Sequence, residues 1–258
     1  MPLDTDFHSH VSRSSAREMA QSAQEKGLRV LGLSEHVFQM KEARSTLDHL
    51  SLEGPLLTFP TYIEEVRTAH QDLRVEVRLG MEVDFIPGKN EAIQTYWQSY
   101  SWDFLIGSVH EIDGLMIEGD NKWSREEGEA LWLRYFELLR EAVNSRYFSL
   151  VSHPVRMRSK NPFIPVTLDQ ELEQLAAEAT RCNVALEING YDIVTHPSLV
   201  RRLARACALH YTPISVGSDA HNPGQVAQTH PQTEAILREA GITKVRVWKQ
   251  RTADEYLF

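Results

Sequence analysis

The stretch Leu3-Asp-Thr-Asp-Phe-His-Ser-His10 joins a short strand-like segment to two histidines, and a similar pattern recurs along the chain. In extended backbone, the side chains at positions i and i+2 point to the same face. His8 and His10 can therefore direct their imidazoles into one cavity at the end of this segment. A single His-x-His motif is weak evidence for a metal site, so the other segments must be considered with it.

Apolar, β-rich segments alternate with amphipathic helical segments throughout the chain. The predicted strands are residues 3–8, 29–34, 75–83, 104–109, 148–152, 184–188, 213–216 and a terminal 244–248, which makes seven or eight. One predicted helix is capped by Ser14 or Ser15 and ends at Gly27, and three more span residues 124–146, 167–182 and 197–210. Because such alternation is typical of a parallel sheet or barrel, the sequence predicts an α/β fold in a single domain over residues 1–258.

Histidines, acidic residues and one asparagine stand at the ends of seven of these strands. They are His8, His10, Glu35, His36, Glu82, His110, His153, Glu187, Asn189, Asp219 and His221. In a β/α barrel the carboxyl ends of the strands share one rim, where active sites are built. Imidazole and carboxylate groups are ligands of zinc, manganese and iron. The sequence therefore predicts an open catalytic metal site at the C-terminal rim of the strands.

Each of these motifs, taken alone, also has an ordinary structural explanation. Ser152-His-Pro154 is commonly a turn, and Glu82 alone would serve as an ion-pair partner at a strand end. The sequence contains no nucleotide-binding glycine loop and no serine-hydrolase elbow, and Gly114 stands where a zincin has its second histidine. The long connections 37–59 and 111–123 are either binding loops or plain surface excursions. Only the joint pattern favours a metal site.

The composition limits the classes of partner. A formal net charge of −9 over 258 residues argues against binding to long nucleic acids, but not against a small anionic substrate. The sequence contains no run of about 18 apolar residues, so it predicts no membrane span. The acidic first segment has neither the basic start nor the apolar stretch of a signal peptide. We expect a cytoplasmic protein with a small-molecule substrate, and the oligomeric state stays open.

Taken together, the motifs resemble the PHP (polymerase and histidinol phosphatase) superfamily. The matching segments occur in the family's order at residues 6–10, 34–36, 80–84, 107–110, 152–154, 187–189 and 217–221. The Ser-Glu-His form of the second motif and residues 102–114 are similar to the stand-alone histidinol-phosphatase branch. The resemblance implies a distorted (β/α)7 TIM-like barrel and metal-dependent hydrolysis of a small phosphate monoester. It implies L-histidinol phosphate as the substrate, converted to L-histidinol and phosphate in histidine biosynthesis.

The resemblance also implies ligands for two or three divalent ions of zinc, manganese or iron. One ion is held by His8, His10, Glu82 and Asp219, a second by Glu82, His110 and His153, and a third by His36, His221 and a further ligand in the first motif. Residues 11–16, Val-Ser-Arg-Ser-Ser-Ala, offer no histidine or aspartate for that last position. The third ion is therefore bound weakly, is absent, or has its coordination completed by water or Glu35.

Two groups of residues are candidates for contact with the substrate. The basic residues after His153 either bind the phosphate or form a solvated loop, and they are Arg156, Arg158 and Lys160. Glu187 and Asn189 are expected to contact substrate at the rim. The cationic amine of histidinol phosphate needs an acidic partner, for which the candidates are Glu111, Asp113, Glu187 and Asp192.

The hypothesis for the reaction is direct attack on phosphorus by a metal-activated hydroxide, with no phosphoenzyme. Glu82 bridges the metals, and Asp219 or His221 is the candidate proton donor to the leaving alcohol. Two alternatives stay open. The first is the same site with another phosphomonoester or a short phosphodiester as its substrate. The second is a domain that binds metal without catalysis, which the missing ligand in residues 11–16 favours.

Overall fold

Seven parallel strands form a nearly closed barrel in the computed structural model, which describes residues 2–258. In spatial order they are β1 (Thr5–Asp6), β2 (Val30–Leu33), β3 (Glu76–Asp84), β4 (Phe104–Ser108), β5 (Leu150–Val151), β6 (Ala185–Asn189) and β7 (Ile214–Gly217). The barrel closes where the Phe7 N–H donates to the Val216 carbonyl over 2.8 Å and Ser9 pairs with Ala220. The predicted (β/α)7 barrel is confirmed.

The longest strand, β3, shows how the sheet is staggered. Its first half pairs with β2, from Glu76 opposite Val30 to Leu79 opposite Leu33. Its second half pairs with β4, beginning at Gly80. Such a stagger tilts the strands relative to the barrel axis, as closure of a sheet requires. The observed strands overlap all seven predicted barrel strands, although several are shorter because only the paired part is regular.

The predicted terminal strand at residues 244–248 is present and lies outside the seven-stranded barrel. It forms β8 (Lys244–Lys249), which pairs antiparallel with β9 (Thr252–Leu257). The Trp248 ring packs against Phe7 and Phe104, with ring centroids 5.4 and 6.4 Å apart. A Cβ at Gly80 would lie 2.2 Å from the Phe104 ring, so this glycine gives the ring its space. The hairpin thus closes the end of the barrel opposite the predicted site.

Helices cover the outside of the barrel. They are α1 (Ala16–Glu25), α2 (Arg44–Leu47), α3 (Phe59–Thr68), α4 (Asn90–Trp97), α5 (Arg125–Ser145), α6 (Leu168–Cys182), α7 (Gly190–Thr195), α8 (Pro197–Leu209) and α9 (His230–Glu239). The four predicted helices correspond to α1, α5, α6 and α8. Ser15 caps α1, and Ser124 forms a capping box with Glu127 at the start of α5. Within residues 2–258, no helix has the length and apolar character needed to cross a membrane.

Both long connections contain short regular elements. Residues 37–59 include the 3-10 turns Val37–Gln39 and Lys41–Ala43 as well as α2. Residues 111–123 begin with a small hairpin, Glu111–Ile112 paired with Leu115–Met116. Two further 3-10 turns, Arg156–Ser159 and Pro223–Gln225, follow β5 and β7. All of these segments follow the carboxyl ends of barrel strands, so they lie at the rim of the predicted site.

Candidate metal centre

The predicted metal-binding side chains meet around one pocket of about 200 Å³ at the C-terminal rim. Six of them line it: His36, Glu82, His110, His153, Asp219 and His221. His8, His10 and Glu35 lie behind this lining and are fully buried. The two long connections also contribute to the wall, through Leu50, Ser51 and Glu53 from one and Met116 and Glu118 from the other. Both connections are therefore part of the site rather than remote surface.

The Glu82 carboxylate lies at the centre of five imidazoles. Oε2 lies 2.9, 3.2 and 3.6 Å from the Nε2 atoms of His36, His8 and His10. Oε1 lies 3.3 and 3.4 Å from the Nε2 atoms of His153 and His110. The Ser108 hydroxyl also donates to Oε1 over 2.6 Å. Each carboxylate oxygen thus faces its own group of rings, as a bridging carboxylate requires.

Hydrogen bonds on the far side of two rings fix which nitrogen faces Glu82. His8 Nδ1 is 2.7 Å from Glu187 Oε1, and His110 Nδ1 is 2.7 Å from Asp84 Oδ1. An ionised carboxylate only accepts hydrogen bonds, so Nδ1 must donate in both cases. In a neutral ring, Nε2 then presents its lone pair to Glu82. This carboxylate-histidine arrangement is the one that orients metal-binding histidines in proteins.

Two acceptors that face each other at such distances need a proton or a cation between them. Two ligands of one tetrahedral ion lie about 3.4 Å apart when each bond is about 2.0–2.1 Å. His10 Nε2 lies 3.2 Å from Asp219 Oδ1, and the separations around Glu82 span this value. His8 Nε2 and Glu82 Oε2 are buried without a hydrogen-bond partner among the described residues. The donor set therefore fits divalent cations.

The electrostatics of the cluster also favour added positive charge. Burial is the largest influence on Glu82 and would raise its pKa, but His8 and His36 hold that pKa well below its usual value. Burial would lower the pKa of His8, but Glu187 and Glu82 raise it well above its usual value. Glu82 is thus ionised, and the His8 ring beside it attracts a proton or a metal. By contrast, burial and the nearby Arg156 lower the pKa of His153 to about 3, so this ring is neutral.

Arg156 connects the cluster to the pocket wall. Its Nε donates to Asp192 Oδ1 over 2.8 Å, and its Nη2 donates to Asn189 Oδ1 and Asp219 Oδ2 over 3.1 and 2.6 Å. Burial would raise the pKa of Asp219, but His8 and Arg156 hold it well below its usual value. Asp219 is therefore a carboxylate, shared between Arg156 on one side and His10 on the other.

Two residues of the cluster have backbone in the left-handed region. His153 has a φ of 33° and Asp219 a φ of 58°. This conformation is unfavourable for residues other than glycine, and such strain is common at functional sites. The His153 N–H donates to Glu187 Oε2 and the Asp219 N–H to the His8 carbonyl, each over 2.8 Å. These bonds hold both side chains toward the pocket.

The structure separates the three basic candidates for phosphate binding. Arg156 lines the pocket, whereas Arg158 and Lys160 do not. Lys160 has 43% of its side chain exposed and pairs with Asp120 over 2.8 Å. Of the three, Arg156 is the one in the pocket lining, and the predicted phosphate contacts of Arg158 and Lys160 stay predictions.

Several predicted residues lie behind the pocket lining. Both oxygens of Glu187 are used, Oε1 by His8 and Oε2 by the His153 N–H and Asn189 Nδ2. Glu35 accepts the Val11 and Ser12 N–H groups on Oε2 over 2.8 and 2.7 Å, and Oε1 accepts the His36 N–H. These are contacts of positioning residues. The predicted roles of Glu187 and Asn189 toward substrate, and of Glu35 toward metal, stay predictions.

The acidic residues predicted to meet a substrate amine are placed differently. Glu111 pairs with His49 over 2.5 Å, and Asp113 is largely exposed and lies 3.6 Å from Arg134. Asp192 is committed to Arg156. The structure brings none of these three into the pocket lining.

Sequence reasoning missed three acidic residues of the site. Asp84 holds His110, Glu118 lines the pocket with its Oε2 3.7 Å from Arg156 Nη1, and Glu53 lies 2.7 Å from His221. Asp84 could have been found, because it follows Glu82 by two residues on the same strand face. Glu53 and Glu118 carry no such signal, since both lie in the irregular connections.

Comparison with known proteins is consistent with this geometry. A probable histidinol-phosphatase from Deinococcus radiodurans is 28% identical over 93% of this chain and 92% of its own length. One from Schizosaccharomyces pombe is 20% identical over 95% and 89%. The crystal structure of histidinol phosphate phosphatase from Lactococcus lactis, with zinc, L-histidinol and phosphate, superposes with a TM-score of 0.79 at 18% identity, covering 97% of this chain and 98% of that one.

The family match extends over most of the chain. The PHP domain family matches residues 4–190, which contain six of the seven motif segments found in the sequence. The resemblance inferred from the motifs is confirmed, and the chain belongs to the PHP domain family.

Proposed function

We propose that this chain is a metal-dependent phosphatase that hydrolyses L-histidinol phosphate to L-histidinol and phosphate. The observation that carries the proposal is the Glu82 carboxylate, which lies within 3.6 Å of five imidazole Nε2 atoms beside a pocket that Arg156 also lines. A site that combines clustered divalent-metal ligands with a guanidinium is suited to the transfer of a phosphoryl group. The names of the curated relatives from Deinococcus and Schizosaccharomyces support the same substrate.

Two ions would be held here, one by His8, His10 and Asp219 and the other by His110 and His153, with Glu82 as a ligand available to both. When bound, such ions neutralise phosphoryl oxygens and lower the pKa of a coordinated water. Glu187 and Asp84 orient the His8 and His110 rings and keep Nε2 free to bind.

Arg156 is the proposed phosphate-binding residue. Asp192, Asn189 and Asp219 occupy its Nε and Nη2 donors, while its nearest carboxylate on Nη1, that of Glu118, is 3.7 Å away. Nη1 therefore keeps donors for a phosphate oxygen, and the other bonds hold the guanidinium plane in place. The Tyr191 ring, whose centre lies 4.6 Å from the guanidinium carbon, supports it from one face.

Two acidic residues have roles that follow from their charge. Asp219 is ionised between His8 and Arg156, so it is an acceptor and a ligand rather than a proton donor to the leaving alcohol. Glu118 lines the pocket and has 40% of its side chain exposed, which suits it to pair with the cationic amine of histidinol phosphate. His221, also in the lining, is the other candidate proton donor from the sequence, and that role stays a prediction that requires a proton rather than a metal on its Nε2.

The test is a paired measurement on one purified sample. Bound zinc, manganese and iron are counted by elemental mass spectrometry, and phosphate release from L-histidinol phosphate is assayed with and without a chelator. We expect at least two ions per chain and turnover that a chelator abolishes and added metal restores. Release from other phosphomonoesters but not from histidinol phosphate would reject this substrate. A purified protein with no bound metal and no turnover would reject the proposal that the chain is an enzyme.

A further inference from the structure

The connection between β2 and α3 brings Glu53 against the first motif, where the sequence offers no third histidine. A Cβ on Gly54 would lie 2.1 Å from the Ser12 carbonyl oxygen, so the two segments touch with no side chain between them. Arg13 Nε donates to the Glu53 carbonyl over 3.1 Å. Gln39 accepts the Glu53 N–H and donates to the carbonyls of Gly54 and Pro55. Residue 53 is thus fixed in place by its backbone on both sides.

The Glu53 side chain points at His221. Its Oε2 lies 2.7 Å from His221 Nε2 and 4.0 Å from His36 Nδ1, and it is buried without an accepted hydrogen bond among residues 2–258. On the other side of the His221 ring, Nδ1 lies 2.9 Å from the Asp219 carbonyl and must donate to it. In the neutral ring, Nε2 therefore faces a carboxylate with its lone pair. This contact requires a proton or a cation between the two atoms.

Three further observations favour a cation. Nitrogen atoms of His10, His36 and His221 all lie within 4.8 Å of one another, which is close enough to share an ion. His10 and His36 rings are stacked with centroids 4.1 Å apart, and His221 lies 4.4 Å from His10. Glu53 is the carboxylate on the open side of this group. A carboxylate with two or more imidazoles is a ligand set for zinc, manganese or iron.

Three other carboxylates lie next to these rings, and the proposed function already assigns Glu82 and Asp219 to the first two ions. The third, Glu35, is committed to backbone groups. Glu35 Oε2 accepts two backbone N–H groups and its Oε1 accepts a third, from His36. Ala16, where the first helix begins, is fully buried and has no ligand atom. Of Glu35, Ala16 and Glu53, only Glu53 combines reach toward His221 with a carboxylate oxygen that no backbone N–H occupies.

We propose that Glu53 is a metal ligand, which completes with His36 and His221 a third cation position next to the two that Glu82 shares. The inference rests on the proposed function, because it assumes that the Glu82 cluster holds metal. A bound ion takes the place of the proton between Glu53 and His221. It also ties residues 50–53, a wall of the pocket, to the barrel rim.

The experiment compares Glu53→Gln with Asp48→Asn. Both variants remove one negative charge from the same connection, but Asp48 is exposed and does not line the pocket. Each full-length protein is stripped with a chelator, reloaded with excess manganese, desalted and analysed by elemental mass spectrometry. We expect three ions per chain in the wild type and in Asp48→Asn, and one fewer in Glu53→Gln. Equal counts in wild type and Glu53→Gln would overturn the assignment, as would a wild type that holds only two ions.

Hydrogen exchange of the wild type gives a readout that needs no variant. Backbone amides of residues 50–54 should exchange more slowly in the manganese-loaded protein than in the stripped protein, and exchange at equal rates would contradict the proposal. The proposed function fails separately. If the wild type releases phosphate but carries the same number of ions as Glu53→Gln, the Glu53 assignment is rejected and the proposed phosphatase function is kept. If the wild type holds three ions, Glu53→Gln holds two and neither releases phosphate, the Glu53 assignment is kept and the proposed function is rejected.

Discussion

The two ends of the barrel are built from the same strands but are opposite in chemistry. At the C-terminal rim the buried residues are histidines and carboxylates, among them His8, His10 and Glu82. At the other end the interior is apolar, and Trp248 of the terminal hairpin packs against Phe7 and Phe104. Buried charges destabilise the fold unless they are paired, whereas buried aromatic rings stabilise it. Stability and function are therefore concentrated at different ends of one barrel.

Strand β3 shows this division within nine residues. Glu76 at its first position is exposed and pairs with Arg78. Glu82 near its last position is 1% exposed and faces five imidazoles. The same side chain is thus a surface ion-pair partner at one end and the centre of a candidate metal site at the other. This pair of glutamates allows the comparison to be tested directly.

Substitution of Glu82 should have the largest effect. Glu82→Gln keeps the size of the side chain but removes the charge that the imidazoles surround. Loss of a single preorganised electrostatic group in an active site lowers kcat by about 10²–10³-fold, and a shared ligand should lie at the upper end. Metal content and kcat for phosphate release are measured together, with circular dichroism to show that the barrel is folded.

Glu76→Gln is the matched control on the same strand. It should leave metal content and kcat unchanged, because Glu76 is half exposed and lies at the end of the strand away from the rim. Unchanged metal content in Glu82→Gln would remove Glu82 from the centre of the site.

At the opposite end, Trp248→Ala should affect stability and leave the metal site intact. Truncation of a buried tryptophan costs about 3–5 kcal/mol, and we expect about 3 kcal/mol because the hairpin can partly collapse into the space. Urea unfolding gives the free energy, and the metal content of the folded protein should equal that of the wild type. Trp248→Phe keeps an aromatic ring and should lose less. A folded Trp248→Ala protein that has lost its metal would show that the two ends are coupled.

The sequence could predict which segments meet at the rim because each of these segments is local. A strand, the turn after it and a ligand such as His110 or His153 are close in the chain, and parallel strands bring their carboxyl ends together whatever the exact register. The α5 helix was predicted for a similar reason, since its apolar residues Leu131, Tyr135 and Leu138 recur at helical spacing within a short segment. Such features need no knowledge of long-range contacts.

The parts that the sequence did not predict depend on contacts between distant segments. Residues 244–248 have the composition of a strand, but their antiparallel partner and their position below Phe7 and Phe104 are set by packing. Glu53 meets His221 across 168 positions of sequence, through an irregular connection that has no periodicity to read. Glu118 reaches Arg156 in the same way.

Arg156→Lys tests the contribution of the rim to substrate binding. Lysine keeps the positive charge beside Asp192 and Asp219 but lacks the planar fork that holds these groups and a phosphate oxygen together. A hydrogen bond to a charged group contributes about 1.5–3 kcal/mol, so kcat/KM for histidinol phosphate should fall about 10–100-fold. Arg158→Lys, in the same 3-10 turn but outside the pocket lining, is the control and should have little effect. Equal losses in the two variants would argue against Arg156 as the phosphate-binding residue.

The smallest expected effect is that of Asp84→Asn, which changes the support of a ligand rather than the ligand. Asp84 Oδ1 accepts from His110 Nδ1 over 2.7 Å and so keeps the His110 Nε2 directed at Glu82. Loss of such a supporting carboxylate lowers metal affinity or activity by about 10–100-fold, and we expect about 10-fold because asparagine can still accept from Nδ1. Activity is titrated with manganese in the stripped protein. A positioning role predicts a higher midpoint with kcat restored at saturating metal, because the ligands themselves are intact. A kcat that stays low at saturation would instead mean that Asp84 contributes to the reaction beyond holding His110, and the rim would then extend two residues further along β3 than Glu82.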